Sequence, residues 1–356
     1  MNIRRALALL VVLTGCSLDE ARLDDGGPAF DIPEMEWSWI DVPGAVCGNG
    51  SGTGIGLNPT SDSDKLVIWL RGGGACWDET TCLGDEPGAS YFDGFGSEEF
   101  ADFANDRAKQ GHLRRDDENN PFKDYSLAYV PYCTGDVHIG NAVVDDKLHF
   151  KGSNNIEVDI AKLVTTFPNV TQVVLTGSSA GGFGAMWQFW RFADAFPNAD
   201  VVWIDDSGPL LPISAMASIA IVIPTWNLAD TVHPDCTLCL DSSDPDGGPH
   251  NLIPLYADKY PGHRGSLLVS MRDETIVNRF LIEEDALEQA LNDLAANTAP
   301  TNPDYRYFFL EGKHHVWLDG DEATHRLSDV KSGGTDLGSF IQKQLDNDSD
   351  WSSVRP

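Results

Sequence analysis

The sequence is poor in basic residues and has no apolar segment long enough to cross a membrane. Lys and Arg together number 24, against 55 Asp and Glu residues, so the formal net charge of the 356 residues is −31. A surface this acidic repels nucleic acid, anionic lipid and other polyanions, which argues against all three as partners. The charge itself says more about solubility than about fold or activity. An apolar run over residues 6–13 is too short to span a bilayer.

The N-terminal residues have the pattern of an export signal followed by a tether. Arg4 and Arg5 precede the apolar run, which ends in Leu13-Thr-Gly-Cys16. A basic start, a short apolar stretch and small residues before a cleavage site are typical of a secretory signal. Leu-Thr-Gly-Cys also resembles the bacterial lipobox, in which the Cys becomes lipid-modified and N-terminal. The alternative is an ordinary signal with an incidental Cys.

Three regions of the chain follow from this pattern. We expect a lipoprotein signal peptide over residues 1–15, a lipidated Cys16 opening an acidic tether over residues 16–30, and a single catalytic domain over residues 31–356. The protein would then be exported, and would reach a membrane only through the lipid on Cys16.

The remaining cysteines indicate disulfide bonds. They are Cys47, Cys76, Cys82, Cys133, Cys236 and Cys239. An even number of cysteines in an exported chain is typical of disulfides. Cys236 and Cys239 have no second such pair and no flanking His pair, so a short disulfide is favoured over a zinc half-site. The sequence leaves the pairing of the others open.

Apolar runs alternate with helical patterns along the chain. The apolar runs cover residues 66–70, 127–130, 173–176, 201–204, 267–270 and 307–310, and the helical patterns cover 155–167, 182–196 and 283–296. Continuous apolar runs fit strands that are buried on both faces. The alternation predicts an α/β fold with a mostly parallel central sheet and helices on both faces. Residues 84–125 and 224–265 are predicted to form loop insertions over the carboxyl ends of the strands, where such sheets bind ligands.

One motif predicts a nucleophile. Gly177-Ser-Ser-Ala-Gly181 matches G-x-S-x-G, follows a predicted strand and precedes a predicted helix. That setting is typical of the sharp turn that exposes the serine of an α/β-hydrolase. We therefore predict that Ser179 is a nucleophile. The alternative is a Gly–Ser turn without chemistry.

A serine nucleophile needs a base and an orienting carboxylate, which follow it in this order along an α/β-hydrolase chain: acid, then His. Counting strands after Ser179 favours Asp273 as the acid, with Asp206 as the alternative. His314 and His315 follow the last predicted strand. Adjacent side chains of an extended segment point in opposite directions, so only one of them can face the serine. The motif order favours His315.

Acyl transfer also needs backbone N–H groups that stabilise the developing oxyanion. The N–H of Ala180, directly after the proposed nucleophile, is one candidate donor. The loop Gly72-Gly-Gly-Ala75, which follows an early predicted strand, is the other. Its glycines allow the backbone to approach a substrate closely. The alternative is a plain turn at the end of a strand.

Four segments carry a family resemblance. They are Ala-Val-Cys-Gly-Asn-Gly at 45–50, Gly-Gly-Gly-Ala-Cys at 72–76 with Cys82 beyond it, Pro-Tyr-Cys-Thr-Gly at 131–135 and Gly-Ser-Ser-Ala-Gly-Gly at 177–182. Together they resemble the pectin acetylesterase family, to which the Notum carboxylesterases belong, over most of residues 40–320. The resemblance implies the α/β-hydrolase fold and ester hydrolysis without a metal or other cofactor.

By position, the resemblance implies a triad of Ser179, Asp273 and His315. It also implies Gly74, Ala75 and Ala180 as the oxyanion donors. The chain departs from the family pattern in two ways: Ala stands where the glycine loop of the family carries Trp, and the Cys that often neighbours the His of the family is lacking. The first departure changes one wall of the pocket, so the chemistry is expected to transfer better than the substrate.

The sequence therefore predicts a serine carboxylesterase outside the cytoplasm. We expect it to remove a short acyl group such as acetyl from a small ester or an acylated carbohydrate, through an acyl-enzyme. Pectin is a polyanion, and the acidic surface disfavours it. The alternatives are a lipase, a polyester depolymerase or a serine peptidase with the same triad, and a catalytically silent surface-binding lipoprotein.

Overall fold

A computed structural model of the chain describes residues 32–216, 218–280, 282–319 and 326–356. The predicted signal peptide over residues 1–15, the lipidation site Cys16 and the tether over residues 16–30 lie outside the described residues. Within the described ranges, no helix combines the length and the apolarity that crossing a bilayer requires.

Strands and helices alternate along most of the chain. The strands are β1 Ser38–Val46, β2 Gly52–Asn58, β3 Lys65–Leu70, β4 Ser126–Val130, β5 Ala142–Val144, β6 Leu148–Phe150, β7 Gln172–Ser178, β8 Asp200–Asp206, β9 Gly265–Ser270, β10 Tyr305–Leu310, β11 Lys331–Ser332 and β12 Thr335–Asp336. The helices are α1 Glu79–Leu83, α2 Ser97–Asn105, α3 Gly152–Thr166, α4 Ala180–Ala195, α5 Ile219–Thr225, α6 Leu252–Lys259, α7 Glu274–Phe280, α8 Glu284–Asp293 and α9 Leu337–Leu345. Every strand and helix predicted from the sequence is present among them.

Eight of the strands form one sheet, in the order β1-β2-β4-β3-β7-β8-β9-β10. β2 is antiparallel to both β1 and β4, and the remaining neighbours are parallel. Parallel neighbours need crossover connections, which helices supply here; α4, for example, joins β7 to β8. The prediction of an α/β-hydrolase fold with a mostly parallel sheet is confirmed.

The core lies on both faces of this sheet. In β3, Leu66, Ile68 and Leu70 point towards the face that α3 and α4 cover, whereas Val67 and Trp69 point towards α2 and α9. Successive side chains of a strand project to opposite faces, so a strand that is covered on both sides must be apolar throughout. This is why the central strands are continuous apolar runs in the sequence.

The segments predicted as loops contain further helices. Residues 84–125 include α2, and residues 224–265 include α6. In α2, Phe100 and Phe103 are buried, and the ring of Phe103 stacks on Tyr129 with 3.9 Å between centroids. Two aromatic residues three positions apart share one face of a helix, and packing of that face stabilises a helix too short to form alone. Both insertions are present, but each contains a helix that the prediction of loops missed.

Three disulfide bonds join the cysteines of the described residues: Cys47–Cys133, Cys76–Cys82 and Cys236–Cys239. Both the expectation of disulfides and the short Cys236–Cys239 bond are confirmed. Cys47 follows β1 and Cys133 follows β4, and these strands lie on either side of β2 in the sheet. The strand order thus decides a pairing that the sequence left open.

Candidate active site

Ser179 lies in the turn between β7 and α4. Its backbone angles, φ 58° and ψ −118°, are strained for a residue that carries a side chain. The two glycines of the motif are required because a side chain at either position would collide with neighbouring backbone atoms. A Cβ on Gly177 would lie 2.2 Å from the carbonyl oxygen of Gly181, and a Cβ on Gly181 would lie 1.9 Å from that of Leu70. The close approach of strand and helix therefore makes the turn as sharp as the motif predicts.

His315 is paired with a buried carboxylate. Its Nδ1–H donates to Oδ2 of Asp273 over 2.7 Å, and the Asp273 side chain is 0% exposed. The other carboxylate oxygen, Oδ1, accepts from the backbone N–H groups of Thr275 and Ile276, each at 3.0 Å, at the start of α7. These donors offset the cost of burying the charge and fix the carboxylate. The carboxylate in turn fixes the tautomer and orientation of the imidazole.

The second ring nitrogen of His315, Nε2, is the candidate basic atom of the site. Nε2 is shielded from solvent, and no hydrogen-bonding atom of the described residues contacts it. In the tautomer that donates from Nδ1 to Asp273, Nε2 carries a lone pair. A carboxylate-oriented imidazole can act as a general base when this nitrogen comes within hydrogen-bond reach of the nucleophile, and no hydrogen bond joins Nε2 to Ser179 in the structure.

The two adjacent histidines face different surroundings. The ring of His314 is exposed and contacts Trp317 edge-on, with 4.6 Å between the centroids. The carbonyl of His314 accepts from the hydroxyl of Ser270 at 2.6 Å. Of the two rings, it is that of His315 that reaches Asp273, so the geometry favours His315 over His314 as the base.

Asp206, the alternative acid, is also buried but has other partners. Its carboxylate accepts from the backbone N–H groups of Trp317 and Leu318, each at 2.9 Å, and from the Ser178 hydroxyl at 3.0 Å. Burial raises the pKa of Asp206, and the hydrogen bonds from the two backbone groups oppose the rise. The imidazole of His315 donates to Asp273 instead. The geometry thus favours Asp273 over Asp206 as the orienting acid.

Several of the predicted site residues line one small pocket. Gly74, Ala75, Ser179 and Ala180 are among its lining residues, and the others are Val137, Phe183, Thr275, Ile276, Arg279 and Phe280. The pocket has a volume of about 20 Å³, which is little more than one water molecule occupies. Neither here nor elsewhere in the described ranges do three or more His, Cys, Asp or Glu side chains cluster as a metal site would require.

The candidate oxyanion donors differ in availability. Ala180 is the first residue of α4, so its N–H has no acceptor within the helix. The N–H of Gly74 donates to none of the described residues. The N–H of Ala75, in contrast to the expectation, donates to the carbonyl of Gly88 over 3.0 Å. Gly74 and Ala180 therefore remain as the candidate donors.

Two buried side chains that the sequence did not single out hold the glycine loop. The hydroxyl of Tyr132 donates to the carbonyl of Gly74 and accepts from the N–H of Val137, both at 2.9 Å. Nε2–H of His138 donates to the carbonyl of Arg71 at 2.8 Å. Burial lowers the pKa of His138 to about 4, so its ring is neutral at pH 7. The one signal in the sequence was the position of Tyr132 within the Pro-Tyr-Cys-Thr-Gly segment.

Comparison with known proteins finds a pectinacetylesterase family model and relatives that are named as esterases. The model of the family described as pectinacetylesterase matches residues 38–231, more than half of the chain. Palmitoleoyl-protein carboxylesterase NOTUM of Schmidtea mediterranea is 33% identical over 146 residues, which are 39% of this chain and 27% of the relative. Notum2 of Xenopus laevis is 33% identical over 163 residues, 45% of this chain and 32% of the relative. Pectin acetylesterase 5 of Arabidopsis thaliana is 30% identical over 179 residues, 48% of this chain and 40% of the relative.

These matches cover well under half the length of each of these relatives. The family match includes the glycine loop and the turn at Ser179, and it ends before Asp273 and His315. The match nevertheless spans more than half of this chain, and the sheet has the architecture that the resemblance implied. The chain belongs to the pectinacetylesterase family.

Proposed function

We propose that the protein hydrolyses carboxylic esters with Ser179 as its nucleophile. The observation that carries this proposal is the hydrogen bond from His315 to buried Asp273, which leaves Nε2 of the ring unpartnered among the described residues. A serine hydroxyl is a weak nucleophile until a base takes its proton, and the base needs a carboxylate that fixes its tautomer. The names of the relatives, which specify carboxylesterase and acetylesterase activity, support the same reaction.

In the proposed reaction, Oγ of Ser179 attacks the ester carbonyl carbon while Nε2 of His315 takes the hydroxyl proton. The carbonyl electron pair moves to the oxygen, which accepts hydrogen bonds from the N–H groups of Gly74 and Ala180. The alcohol then leaves with the proton from His315, and the acyl group stays on Ser179. Water then attacks the acyl carbon while His315 takes its proton, the bond from that carbon to Oγ of Ser179 breaks, and His315 returns the proton to Oγ as the carboxylic acid departs. Asp273 orients the imidazole throughout.

The pocket beside Ser179 favours a short acyl group. The rings of Phe183 and Phe280, with 5.3 Å between their centroids, narrow it to about 20 Å³. A methyl group needs little more space than one water molecule, whereas a long chain would require these rings to move. We therefore propose acetyl or a similarly short acyl group for this chain. The printed names of two relatives specify a palmitoleoyl ester for those proteins.

A wider groove on the other side of the glycine loop suits the alcohol part of the substrate. Its volume is about 450 Å³, and Gly73, Ser90, Tyr91 and Arg279 are among its lining residues. An aromatic ring beside a few polar groups is a usual way to bind a small polar ligand. An acylated carbohydrate or a small ester is therefore the proposed substrate class. The net charge of −31 argues against pectin itself, because both would be polyanions.

Export and lipidation complete the proposal. The three disulfide bonds fit an oxidising compartment. The residues at 13–16 fit a lipobox with Cys16 as the lipid-bearing residue. Contact with a membrane would then be made through that lipid.

Hydrolysis of p-nitrophenyl acetate, butyrate and palmitate by the purified protein tests the proposal. Ser179→Ala is expected to lower kcat at least about 10³-fold on the best ester. Ser153→Ala is the matched control, because the buried hydroxyl of Ser153 has no hydrogen-bond partner among the described residues. It is expected to match the wild type.

The same panel separates the alternatives. A preference for acetate supports a short-acyl esterase, and a preference for palmitate supports a lipase with the same nucleophile. A polyester film and a peptide amide extend the panel to depolymerase and peptidase activity. Equal rates in the wild type and Ser179→Ala, or no turnover of any substrate, would sink the proposal and favour a catalytically silent binding protein.

A further inference from the structure

The carboxylate of Asp206 is bound to the strand that carries the nucleophile turn. Asp206 is fully buried at the end of β8. Its Oδ2 accepts from the hydroxyl of Ser178, one residue before Ser179, at 3.0 Å. Its backbone carbonyl accepts from the N–H of Ser179 at 2.7 Å. A side-chain bond and a backbone bond therefore fix the strained turn from the side of β8.

The same carboxylate is bound to the segment directly after His315. The N–H of Trp317 lies 2.9 Å from both Oδ1 and Oδ2 of Asp206, and the N–H of Leu318 donates to Oδ2 at 2.9 Å. The separation in sequence is 111 residues for Trp317 and 112 for Leu318. Asp206 thus joins two parts of the site that are remote along the chain.

Ser207 extends this link by one more residue. Its hydroxyl donates to Oδ1 of Asp206 and accepts from the N–H of Val316, both at 3.2 Å. Val316 has a backbone φ of 63°, which costs energy in a β-branched residue and persists only where surrounding contacts impose it. Consecutive backbone N–H groups after His315 are therefore held by Asp206 and Ser207.

We infer that Asp206 is a positioning residue for the proposed hydrolysis: it holds the segment after His315 against the turn that carries Ser179. The inference rests on the proposed function. Asp206 itself does not orient the imidazole, which donates to Asp273. It acts on the distance between base and nucleophile, and a displacement of about 1 Å between reacting groups costs on the order of 10²-fold in rate.

An amide cannot replace this carboxylate fully. Both oxygens of Asp206 accept hydrogen bonds, from Trp317 and Ser207 at Oδ1 and from Trp317, Leu318 and Ser178 at Oδ2. In Asp206→Asn one of these acceptors becomes an N–H₂ donor, which faces at least one backbone N–H. Asn has nearly the same size as Asp, so the substitution removes one hydrogen-bond acceptor without opening a cavity.

Asp205→Asn is the matched control. Asp205 is the neighbouring buried residue of β8; its Oδ1 accepts from the N–H of Gly208, and its Oδ2 has no partner among the described residues. An amide can keep the one bond that this side chain makes. Both variants change Asp to Asn on β8. Only Asp206→Asn alters a side chain that binds the segment after His315.

The test measures kcat and KM on the best p-nitrophenyl ester, together with hydrogen–deuterium exchange of the peptide that contains residues 316–318. We expect Asp206→Asn to lower kcat about 10- to 100-fold with KM within about 2-fold of the wild type, and to speed exchange of that peptide. Asp205→Asn should change neither. Wild-type kcat in Asp206→Asn, equal losses in both variants, or unchanged exchange would overturn the inference.

A second variant and a comparison with Ser179→Ala allow the inference to be tested even if Asp206→Asn does not fold. If Asp206→Asn does not fold, as judged by its circular dichroism and thermal transition, Ser207→Ala replaces it. That variant should lower kcat about 3- to 10-fold at constant KM, and an unchanged kcat would again overturn the inference. Failure of the proposed function is distinguishable, because the wild type and Ser179→Ala would then have equal rates whatever the exchange data show.

Discussion

The imidazole of His315 donates a 2.7 Å hydrogen bond to the carboxylate of Asp273, while the ring of the preceding residue, His314, contacts Trp317. Because a base requires an orienting carboxylate, His315→Ala is predicted to lower kcat at least about 10³-fold. His314→Ala, on the exposed neighbour, is predicted to stay within about 2-fold of the wild type. Steady-state hydrolysis of p-nitrophenyl acetate checks both. The opposite pattern would make His314 the base.

Loss of the Tyr132 hydroxyl is predicted to slow the reaction without weakening binding. Tyr132→Phe removes the bond to the carbonyl of Gly74 and so loosens a peptide group next to the proposed oxyanion. Removing a donor outright costs about 10²- to 10³-fold, so an indirect effect of about 10-fold in kcat at constant KM is expected. Tyr125→Phe is the control, because its hydroxyl bonds to Gln172. Equal effects of the two changes would contradict a role for Tyr132 in the site.

Widening the acyl pocket is predicted to change the preferred chain length. Phe280→Ala removes one of the two rings that narrow the pocket, so kcat/KM for butyrate relative to acetate should rise by about 4- to 15-fold, the value of one to two buried CH₂ groups. Phe167→Ala removes a half-buried ring that lines another cavity and serves as the control. An unchanged ratio in Phe280→Ala would place the acyl group elsewhere.

Arg279 is predicted to favour esters whose alcohol carries a negative charge. It lines both the proposed acyl pocket and the wider groove, and its side chain forms no ion pair or hydrogen bond with any described residue. Arg279→Gln should lower kcat/KM about 2- to 5-fold for a carboxylated acetyl ester and leave a neutral one unchanged, as expected for an exposed charge pair. Arg272→Gln is the control, since Glu284 and Glu288 already bind that guanidinium. The loss of kcat/KM that Arg279→Gln causes on the carboxylated ester should be smaller in high salt, because salt screens an exposed charge pair.

The buried imidazole of His138 predicts a loss of stability in acid. Burial lowers its pKa to about 4, although the carbonyl of Arg71 opposes this, whereas in the unfolded chain a His titrates near 6.5. The unfolded state therefore binds the proton first, and the stability that this residue contributes above pH 6.5 is lost as the pH falls towards 4. Between pH 7 and pH 5 the loss is about 2 kcal/mol.

His138→Gln isolates this contribution. The amide of Gln can still donate to the carbonyl of Arg71 but does not titrate. The free energy of unfolding of the wild type, measured in urea, should fall by about 2 kcal/mol more than that of the variant between pH 7 and pH 5. Parallel pH profiles for the two proteins would show that the ring of His138 takes up no extra proton on unfolding.

The sequence predicted elements whose signals are local. Strands such as β7 and β9 are buried along their whole length, so their residues are apolar one after another. The turn at Ser179 needs glycines at fixed offsets because strand and helix touch there. The helix α2 escaped prediction because its stability comes from the contact of Phe103 with Tyr129 on a distant strand.

Residues far apart in the chain meet only when the sheet is assembled. The sequence by itself determined the α/β class, the turn around Ser179, the presence of disulfides and a short set of candidate acids and bases. Only the tertiary structure decided that His315 reaches Asp273, 42 residues away, that Asp206 binds the backbone of Leu318, 112 residues away, and that the N–H of Ala75 is engaged by Gly88. The physical reason is that a pattern of neighbouring residues encodes a strand or a turn, whereas the order of the strands and the loops between them set the contacts across the carboxyl edge of the sheet.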